Sequence, residues 1–328
     1  MFIRPYHPSD LPAAAMLWNL TAQAGEVVYK PLNEAAFHHK LFGTPAHAFC
    51  FVAEENEQLI GFAHGVTKTS FLPGETRENT PGFLTTILVT PNKRRQGLGS
   101  ALLRALELAF TAEGKRRLVV SERNPVQLPW IVPGTPAHEH NKAPGVDEDC
   151  MGFAFLQARG CQVIAREIAM YLPLDRYKPD SKLEERRAAL LSQGIITGRY
   201  DVVLRYDYDR MCDRVGSEYW RSVLQEEIAA PSPRPILAAT HEGFIVGFTG
   251  PVDLETSGRG WFSGICTDPE YERRGIATVL FNLLMQEFID EGAAYSTLFT
   301  GIENWAQALY TRTGFSIVRR FSVMEKAL

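Results

Sequence analysis

The stretch that decides the fold runs from Phe83 to Gly114, FLTTILVTPNKRRQGLGSALLRALELAFTAEG, and it reads as a strand, a glycine-rich turn and an amphipathic helix. From Trp261 to Gly292 the chain repeats the design as WFSGICTDPEYERRGIATVLFNLLMQEFIDEG. Pro91 matches Pro269, Gly97 matches Gly275 and Gly114 matches Gly292, each pair 178 residues apart with no gap between. The amides from Arg95 to Ser100, and from Arg273 to Thr278, fall where a helix begins. The first N–H groups of a helix have no intrahelical acceptor, so each run is suited to hold an anion. The helix dipole adds positive potential there, and Gly97, Gly99, Gly275 and Ala277 keep bulk away from the backbone. Leu102, Leu103, Leu106, Ala109 and Phe110 recur at helical spacing, as do Leu280, Leu283, Leu284 and Phe288, so each helix turns one apolar face to a sheet. Gly114 and Gly292 stand where a left-handed cap ends a helix.

The common nucleotide motifs do not fit. A P-loop needs Lys followed by Ser or Thr, but Ser100 is preceded by Gly99 and followed by Ala101, and a Rossmann fingerprint needs a third glycine. R-R-Q-G-L-G from Arg94 to Gly99 instead resembles the (Arg/Gln)-x-x-Gly-x-(Gly/Ala) signature of the GNAT superfamily of N-acetyltransferases. That resemblance implies acetyl-CoA as cofactor, with its pyrophosphate on the amides of Arg95, Gln96, Gly97, Leu98, Gly99 and Ser100 and its thioester beside Ile87, Leu88 and Val89. The second copy implies the same for Arg273, Arg274, Gly275, Ile276, Ala277 and Thr278, with Ile265, Cys266 and Thr267 on the strand. Glu272 stands where the signature has Arg or Gln, and a carboxylate there repels pyrophosphate, so the second site is expected to be the weaker.

The fold class implied is α/β (α+β): two tandem GNAT-like domains, each a mixed, mostly antiparallel twisted sheet flanked by helices and splayed at the strand before the glycine turn. The expected division is residues 1–174, a linker over 175–198, and residues 199–328. Gly97 and Gly275 differ by 178 but Gly160 and Gly314 by 154, so the first half carries 178 − 154 = 24 extra residues. They fall in a Pro-rich insertion at about 124–150, which contains Pro125, Pro129, Pro133, Pro136 and Pro144 and in which regular structure is not expected.

At 328 residues the chain has room for two cores. Its 22% charged and 45% hydrophobic residues are those of a globular protein, and the net charge of −4 lacks the basic excess of a nucleic-acid binder. Cys50, Cys150, Cys161, Cys212 and Cys266 are scattered and odd in number, which reads as reduced thiols. No signal-peptide pattern or long apolar run is evident, so a cytoplasmic protein with neither a membrane nor a nucleic-acid partner is expected.

Along the first half, Phe2–Pro5 reads as a strand, Leu17 and Leu20 mark a helix, and Asn33 caps another over Glu34 to Leu41. Phe49–Glu54 and Leu59–Val66 form a hairpin, Arg117–Ser121 a strand, and Gly152–Leu174 a helix followed by a strand. In the second half, residues 181–194 read as a linker helix, Tyr200–Tyr206 as a strand and Val215–Ile228 as a helix. Residues 236–250 repeat the hairpin around His241-Glu242-Gly243, and Tyr295–Thr300 is a strand.

Acyl transfer to an amine needs a base for the amine proton, donors for the carbonyl oxygen and a proton for the departing sulfur. Amides near Leu88 or Cys266 suit the carbonyl. Glu122, His138 and Glu139 in the first half and Glu303 in the second are the bases to weigh. The ending at Leu309, Tyr310, Gly314 and Phe315 is similar to the family's Leu-Tyr-x-x-x-Gly-Phe pattern, which implies Tyr310 as the acid. The first half has Leu156 at that place, which favours the second half as the catalytic one. The family's asparagine seven residues before the tyrosine is Glu303 here. The His138-Glu139-His140 cluster admits a metal only weakly, since no third ligand is marked and prolines oppose a strand, so no metal is assigned. The expected activity is acetyl-CoA-dependent N-acetyl transfer, made directly to the amine of a small molecule or peptide. The competing reading is a non-catalytic acetyl-CoA-binding or regulatory protein. A peptidyl or aminoacyl transferase is a third, for which the near-neutral charge gives no tRNA footprint.

Overall fold

The computed structural model describes residues 2–135 and 138–328; Pro136, counted above among the insertion's prolines, lies outside them. The chain forms two compact units, Met1–Ala169 with Val318–Leu328, and Met170–Ile317. The first half contributes β1 (Phe2–Pro5), α1 (Leu11–Gln23), α2 (Glu34–Phe42), β2 (Ala46–Glu55), β3 (Gln58–Lys68), β4 (Gly82–Val89), α3 (Leu98–Ala112) and β5 (Arg117–Val120). The insertion holds β6 (Trp130–Ile131), β7 (Glu139–His140) and β8 (Val146–Asp147), and α4 (Met151–Ala158) and β9 (Gln162–Pro173) follow. Then come α5 (Leu183–Leu191), β10 (Ile196–Arg199), α6 (Asp209–Val215), α7 (Glu218–Ala229), β11 (Leu237–His241), β12 (Phe244–Gly250), β13 (Asp253–Leu254), β14 (Arg259–Trp261) and β15 (Gly264–Thr267). The chain ends with α8 (Ile276–Asp290), β16 (Tyr295–Gly301), α9 (Gln307–Thr313) and β17 (Ser316–Ala327).

In the first unit the strand order is β1-β2-β3-β4-β5-β17. Every neighbouring pair is antiparallel except β4 with β5. One sheet face receives α3 through Leu102, Leu106 and Phe110; the other receives α1 and α2 through Trp18, Phe37 and Leu41. In the second unit β10-β11-β12-β15 form an antiparallel sheet, and β14 pairs with β13 and, in parallel, with β16. Helix α8 buries Val279, Leu280, Leu284 and Phe288.

The 178-residue offset extends into packing that the sequence motif does not include. Gly82 pairs with Leu118 and Gly260 with Ser296. A Cβ on Gly82 would meet the Phe110 ring at 2.5 Å, and one on Gly260 would meet the Phe288 ring at 2.5 Å. Both units therefore press a helix phenylalanine onto a strand glycine, which fixes how closely the helix approaches the sheet. Gly114 and Gly292 take φ of +80° and +84°, and the next amides reach back to Phe110 O and Phe288 O, as in a Schellman cap.

The structure corrects several sequence expectations. Tyr200–Tyr206 is not a strand: the Asp201 carboxylate accepts from Val203 N–H and closes a short turn, and the strand is β10, which begins in the last residues of the expected linker. The helix expected from Val215 to Ile228 is α7 and starts at Glu218, because Val215 ends α6, Gly216 turns left-handed (φ +71°) and Ser217 caps α7 with its side chain. The Pro-rich insertion contains regular structure, with β6 paired to β7 and β8 to β17. Its Val126, Leu128, Trp130 and Val132 are buried, as are Pro129, Pro144 and Gly145, so apolar burial fixes a segment whose composition opposes regular structure.

His64 on β3 is fully buried, and neither ring nitrogen has a hydrogen-bond partner among the described residues. Burial pushes its pKa down to about 3, against a smaller opposing effect of the Leu41 carbonyl. A depressed imidazole pKa means that the unfolded chain takes up a proton first. His64 therefore adds no proton-uptake cost above pH ~6.5 and destabilises the fold as pH falls below it, approaching about 1.4 kcal/mol per pH unit. Urea denaturation of wild type between pH 7 and 5 is expected to show that slope. His64→Leu should be at least as stable at pH 7 and lack it, and an equal slope in both would refute a buried neutral imidazole.

Candidate functional site

Two features of the first unit meet at the end of β4. Strands β4 and β5 pair only at Gly82↔Leu118 and Phe83↔Val119, after which they diverge. On its other side β4 stays in register with β3 out to Val89↔Gly61. The edge of Thr85–Leu88 that faces β5 thus has no strand neighbour among the described residues. Asn124, just past β5, spans the start of the opening, with Nδ2 donating to Thr85 Oγ1 at 3.1 Å and Leu84 O at 3.4 Å. Ile87, Leu88 and Val89 continue along the open strand.

The strand then runs into the turn. Arg95 and Gly97 both take left-handed φ, +60° and +86°. The first α3 amide bonded into the helix is that of Ala101, to Gly97 O at 3.0 Å, so those of Leu98, Gly99 and Ser100 precede the ladder. Arg94 anchors the turn, donating from Nε to Val89 O at 2.9 Å and from Nη2 to Glu26 at 2.6 Å. Lys93 pairs with Glu55. Arg95 and Gln96 are exposed, and Arg95 has no ion-pair partner among the described residues. Phe155 of α4 lies against Gly99, where a Cβ would sit 3.4 Å from its ring. An open strand edge leading into outward amides and a free guanidinium fits an elongated ligand with a phosphate group.

A cleft of about 600 Å³ lies along β5, lined among others by Phe83, Arg117, Ser121, Glu122, Arg123 and Glu167. A second, small cavity of about 30 Å³ borders the opening itself and is lined by Tyr29, Leu84, Thr85, Val120, Ser121 and Glu122. Glu122 belongs to both and is paired with Lys142 at 3.4 Å. Burial, and then the negative charge of Glu122, push the Glu167 carboxyl up. Glu325 is tied to Arg117 and Glu75 to Lys68. Glu167 comes from β9, some 45 residues beyond Glu122, and no local sequence pattern marked it.

Of the other first-half bases, Glu139 is held by Lys30 at 2.6 Å. His140 stacks on Trp130, ring centroids 5.8 Å apart, and the Trp130 indole donates to Lys142 O at 2.7 Å. Among the described residues no group of three or more His, Cys, Asp or Glu gathers as a metal site would require. Leu156 is buried with Leu98, Leu102 and Leu106 on the α3 face of the sheet.

The second unit repeats the turn with φ of +61° at Arg273 and +89° at Gly275, and Val279 N–H is the amide that bonds back to Gly275 O. Ile276, Ala277 and Thr278 thus supply the first-turn amides, while Arg274 leans over the Tyr271 ring at 4.9 Å. Glu272 is exposed. Ile265, Cys266 and Thr267 lie on β15, paired with β12; the Cys266 thiol is pushed up by burial. The strand here is interrupted at Phe262-Ser263 between β14 and β15. Trp220 lies where a Cβ on Gly264 would come within 2.9 Å of its indole nitrogen. Tyr310 packs against Phe281 and Phe315 on α9, 8% exposed, and burial pushes its hydroxyl up to about 12, so it keeps its proton at neutral pH. Glu303 is exposed, and Asn304 accepts from Ala306 N–H at 2.9 Å.

No helix among the described residues is long and apolar enough to cross a membrane. Curated proteins offer no significant match to the sequence. Solved structures resemble the whole chain at low identity. A GCN5-related glucosamine N-acetyltransferase region of a fungal multi-domain β-N-acetylglucosaminidase is similar with a TM-score of 0.69 at 15% identity, over 99% of this chain and 38% of that one. A GCN5-related N-acetyltransferase from Sphaerobacter thermophilus has a TM-score of 0.61 at 17% identity, over 99% of this chain and 95% of that one. A tandem GNAT protein from the clavulanic acid biosynthesis pathway has a TM-score of 0.56 at 16% identity, over 99% and 98%. These likenesses concern the fold. A model of the acetyltransferase (GNAT) family matches the sequence twice, at residues 14–129 and 203–315. With that family's turn in both halves and its model covering most of the chain, this protein belongs to the GNAT acetyltransferase family, as a tandem two-domain member.

Proposed function

We propose that the protein is an acetyl-CoA-dependent N-acetyltransferase that transfers directly to the amine of a small molecule or peptide, and that the first half carries out the transfer. The observation that carries this reading is the free edge of β4, which leads from the small cavity into the left-handed turn, with the larger cleft and Glu122 alongside. Bound coenzyme A would supply the acyl group in activated form as a thioester. Ile87, Leu88 and Val89 would pair with its extended arm, and Arg95, Gln96, Gly97, Leu98, Gly99 and Ser100 would hold its pyrophosphate. Glu122 would take the amine proton from an acceptor in the cleft. Ile265, Cys266 and Thr267, with the turn from Arg273 to Thr278, form the weaker site, next to Glu272 and with Trp220 against the strand.

A second reading puts the transfer in the second half with Tyr310 as acid, and is favoured by the protonated state that burial gives that phenol. A non-catalytic acetyl-CoA-binding role is favoured by Leu156, which leaves the first half without a hydroxyl at the family's acid position. Calorimetry with coenzyme A tests the site. Gly97→Glu adds a carboxylate among the turn amides; nothing lies within 4 Å of the new Cβ, but the φ of +86° strains any side chain there, so circular dichroism of the variant is measured alongside and binding is read only from folded protein. The variant is expected to lose the tighter site, and unchanged binding would refute the assignment. Thiol release from acetyl-CoA with a panel of amines separates an enzyme from a binding protein.

A further inference from the structure

The small cavity at the β4–β5 opening is lined by the phenol of Tyr29, which no sequence motif marks. Tyr29 follows α1, and its backbone is fastened to the insertion: Tyr29 bridges Trp130 in antiparallel fashion, Ile131 N–H donates to Val28 O at 2.8 Å, and Lys30 N–H to Pro129 O at 3.2 Å. Its ring lies 5.4 Å from that of buried Trp18. The side chain is thus held from both sides. Its hydroxyl makes no hydrogen bond to any described residue, although desolvation, with Cys150 and Asp147 near, pushes its pKa up and keeps it protonated. Tyr29 is half-buried and lines the cavity beside Glu122, and its hydroxyl has no protein acceptor among the described residues, so a ligand atom in the cavity can take that hydrogen bond.

We infer that Tyr29 is the proton donor of the first half, a catalytic residue that takes the place left by Leu156. This rests on the reading that coenzyme A occupies the β4 edge. Tyr29 gives its hydroxyl proton to the sulfur as the carbon–sulfur bond breaks with its electron pair on sulfur and the carbon–nitrogen bond forms. Glu122 takes the proton the amine sheds, and water carries it back to the Tyr29 phenolate. Protons and electrons balance with no further reactant. The insertion that fastens Tyr29 is the 24-residue excess of the first half over the second.

The test is calorimetry of wild type and Tyr29→Phe with coenzyme A and with desulfo-coenzyme A, followed by turnover with acetyl-CoA. A hydroxyl facing sulfur makes wild type prefer coenzyme A over the desulfo compound by about fivefold to tenfold, the worth of one hydrogen bond. In Tyr29→Phe that preference should vanish while desulfo-coenzyme A binds as in wild type, and turnover should fall about 10²-fold. A preference retained in the variant, or turnover unchanged, overturns the role of Tyr29. Wild type that binds neither compound overturns the coenzyme A site itself, a result distinct from the other two.

Discussion

A chain that stops at Ile317 is expected to lose the fold of its first half, although every residue from Met1 to Ala169 is still present. The last eleven residues belong to the first unit. There β17 pairs with β5, Met324 opposite Val120 and Ala327 opposite Arg117, and Leu328 N–H closes onto Arg116 O. Phe321 and Met324 are fully buried, Arg319 reaches Asp147 at 3.0 Å and Lys326 pairs with Glu107. Truncating a buried Phe costs about 3–5 kcal/mol and a buried Met about 2–5 kcal/mol. Together these approach the whole stability of a typical domain, roughly 5–15 kcal/mol, before the lost strand pairing is considered. Hydrogen exchange read by mass spectrometry is the measurement: amides of β3, β4 and β5 should exchange freely in the shortened chain while those of β11 and β12 stay protected. Protection of β5 at the wild-type level would show that the first unit stands without its final strand. For the same reason a chain of residues 1–174 is not expected to fold by itself.

Glu122→Gln is expected to reduce turnover about 10²-fold or more, the range for loss of a general base, with coenzyme A affinity unchanged. The substitution keeps the side chain's size and removes the carboxylate that the two cavities share. Glu167, on β9, lines only the larger cleft and does not border the small cavity at the opening. Steady-state kinetics of Glu122→Gln beside Tyr310→Phe decide between the halves. A large loss in the first with near-normal activity in the second is the expected pattern. The opposite pattern would move the chemistry to the second half and leave the first as a coenzyme A-binding copy.

Local pattern in the sequence determined most of the fold and the left-handed turn that is proposed to hold phosphate. A strand, a glycine that must turn left-handed and a helix with one apolar face are encoded within some 30 consecutive residues, so their repetition was legible as a constant offset. The hairpins of β2–β3 and β11–β12 were legible for the same reason, since a turn and two strands specify each other over a few residues. The boundary between β10 and α7 was misread where a capping side chain or a left-handed residue overrode apolar periodicity, at Asp201, Gly216 and Ser217. Tertiary structure alone decided which sheet the last strand joins. Alternation along Ser316–Ala327 says which side chains are buried, but a strand's period is the same whichever neighbour it pairs with. Tertiary structure also decided what surrounds the opening between β4 and β5. Tyr29, the Glu122–Asn124 stretch and Glu167 come from three separate segments, and only the folding of the insertion over α1 and β5 brings the first two to one place. A binding turn can be written in contiguous backbone, whereas groups that exchange protons must converge from distant parts of the chain, and their convergence leaves no local mark in the sequence.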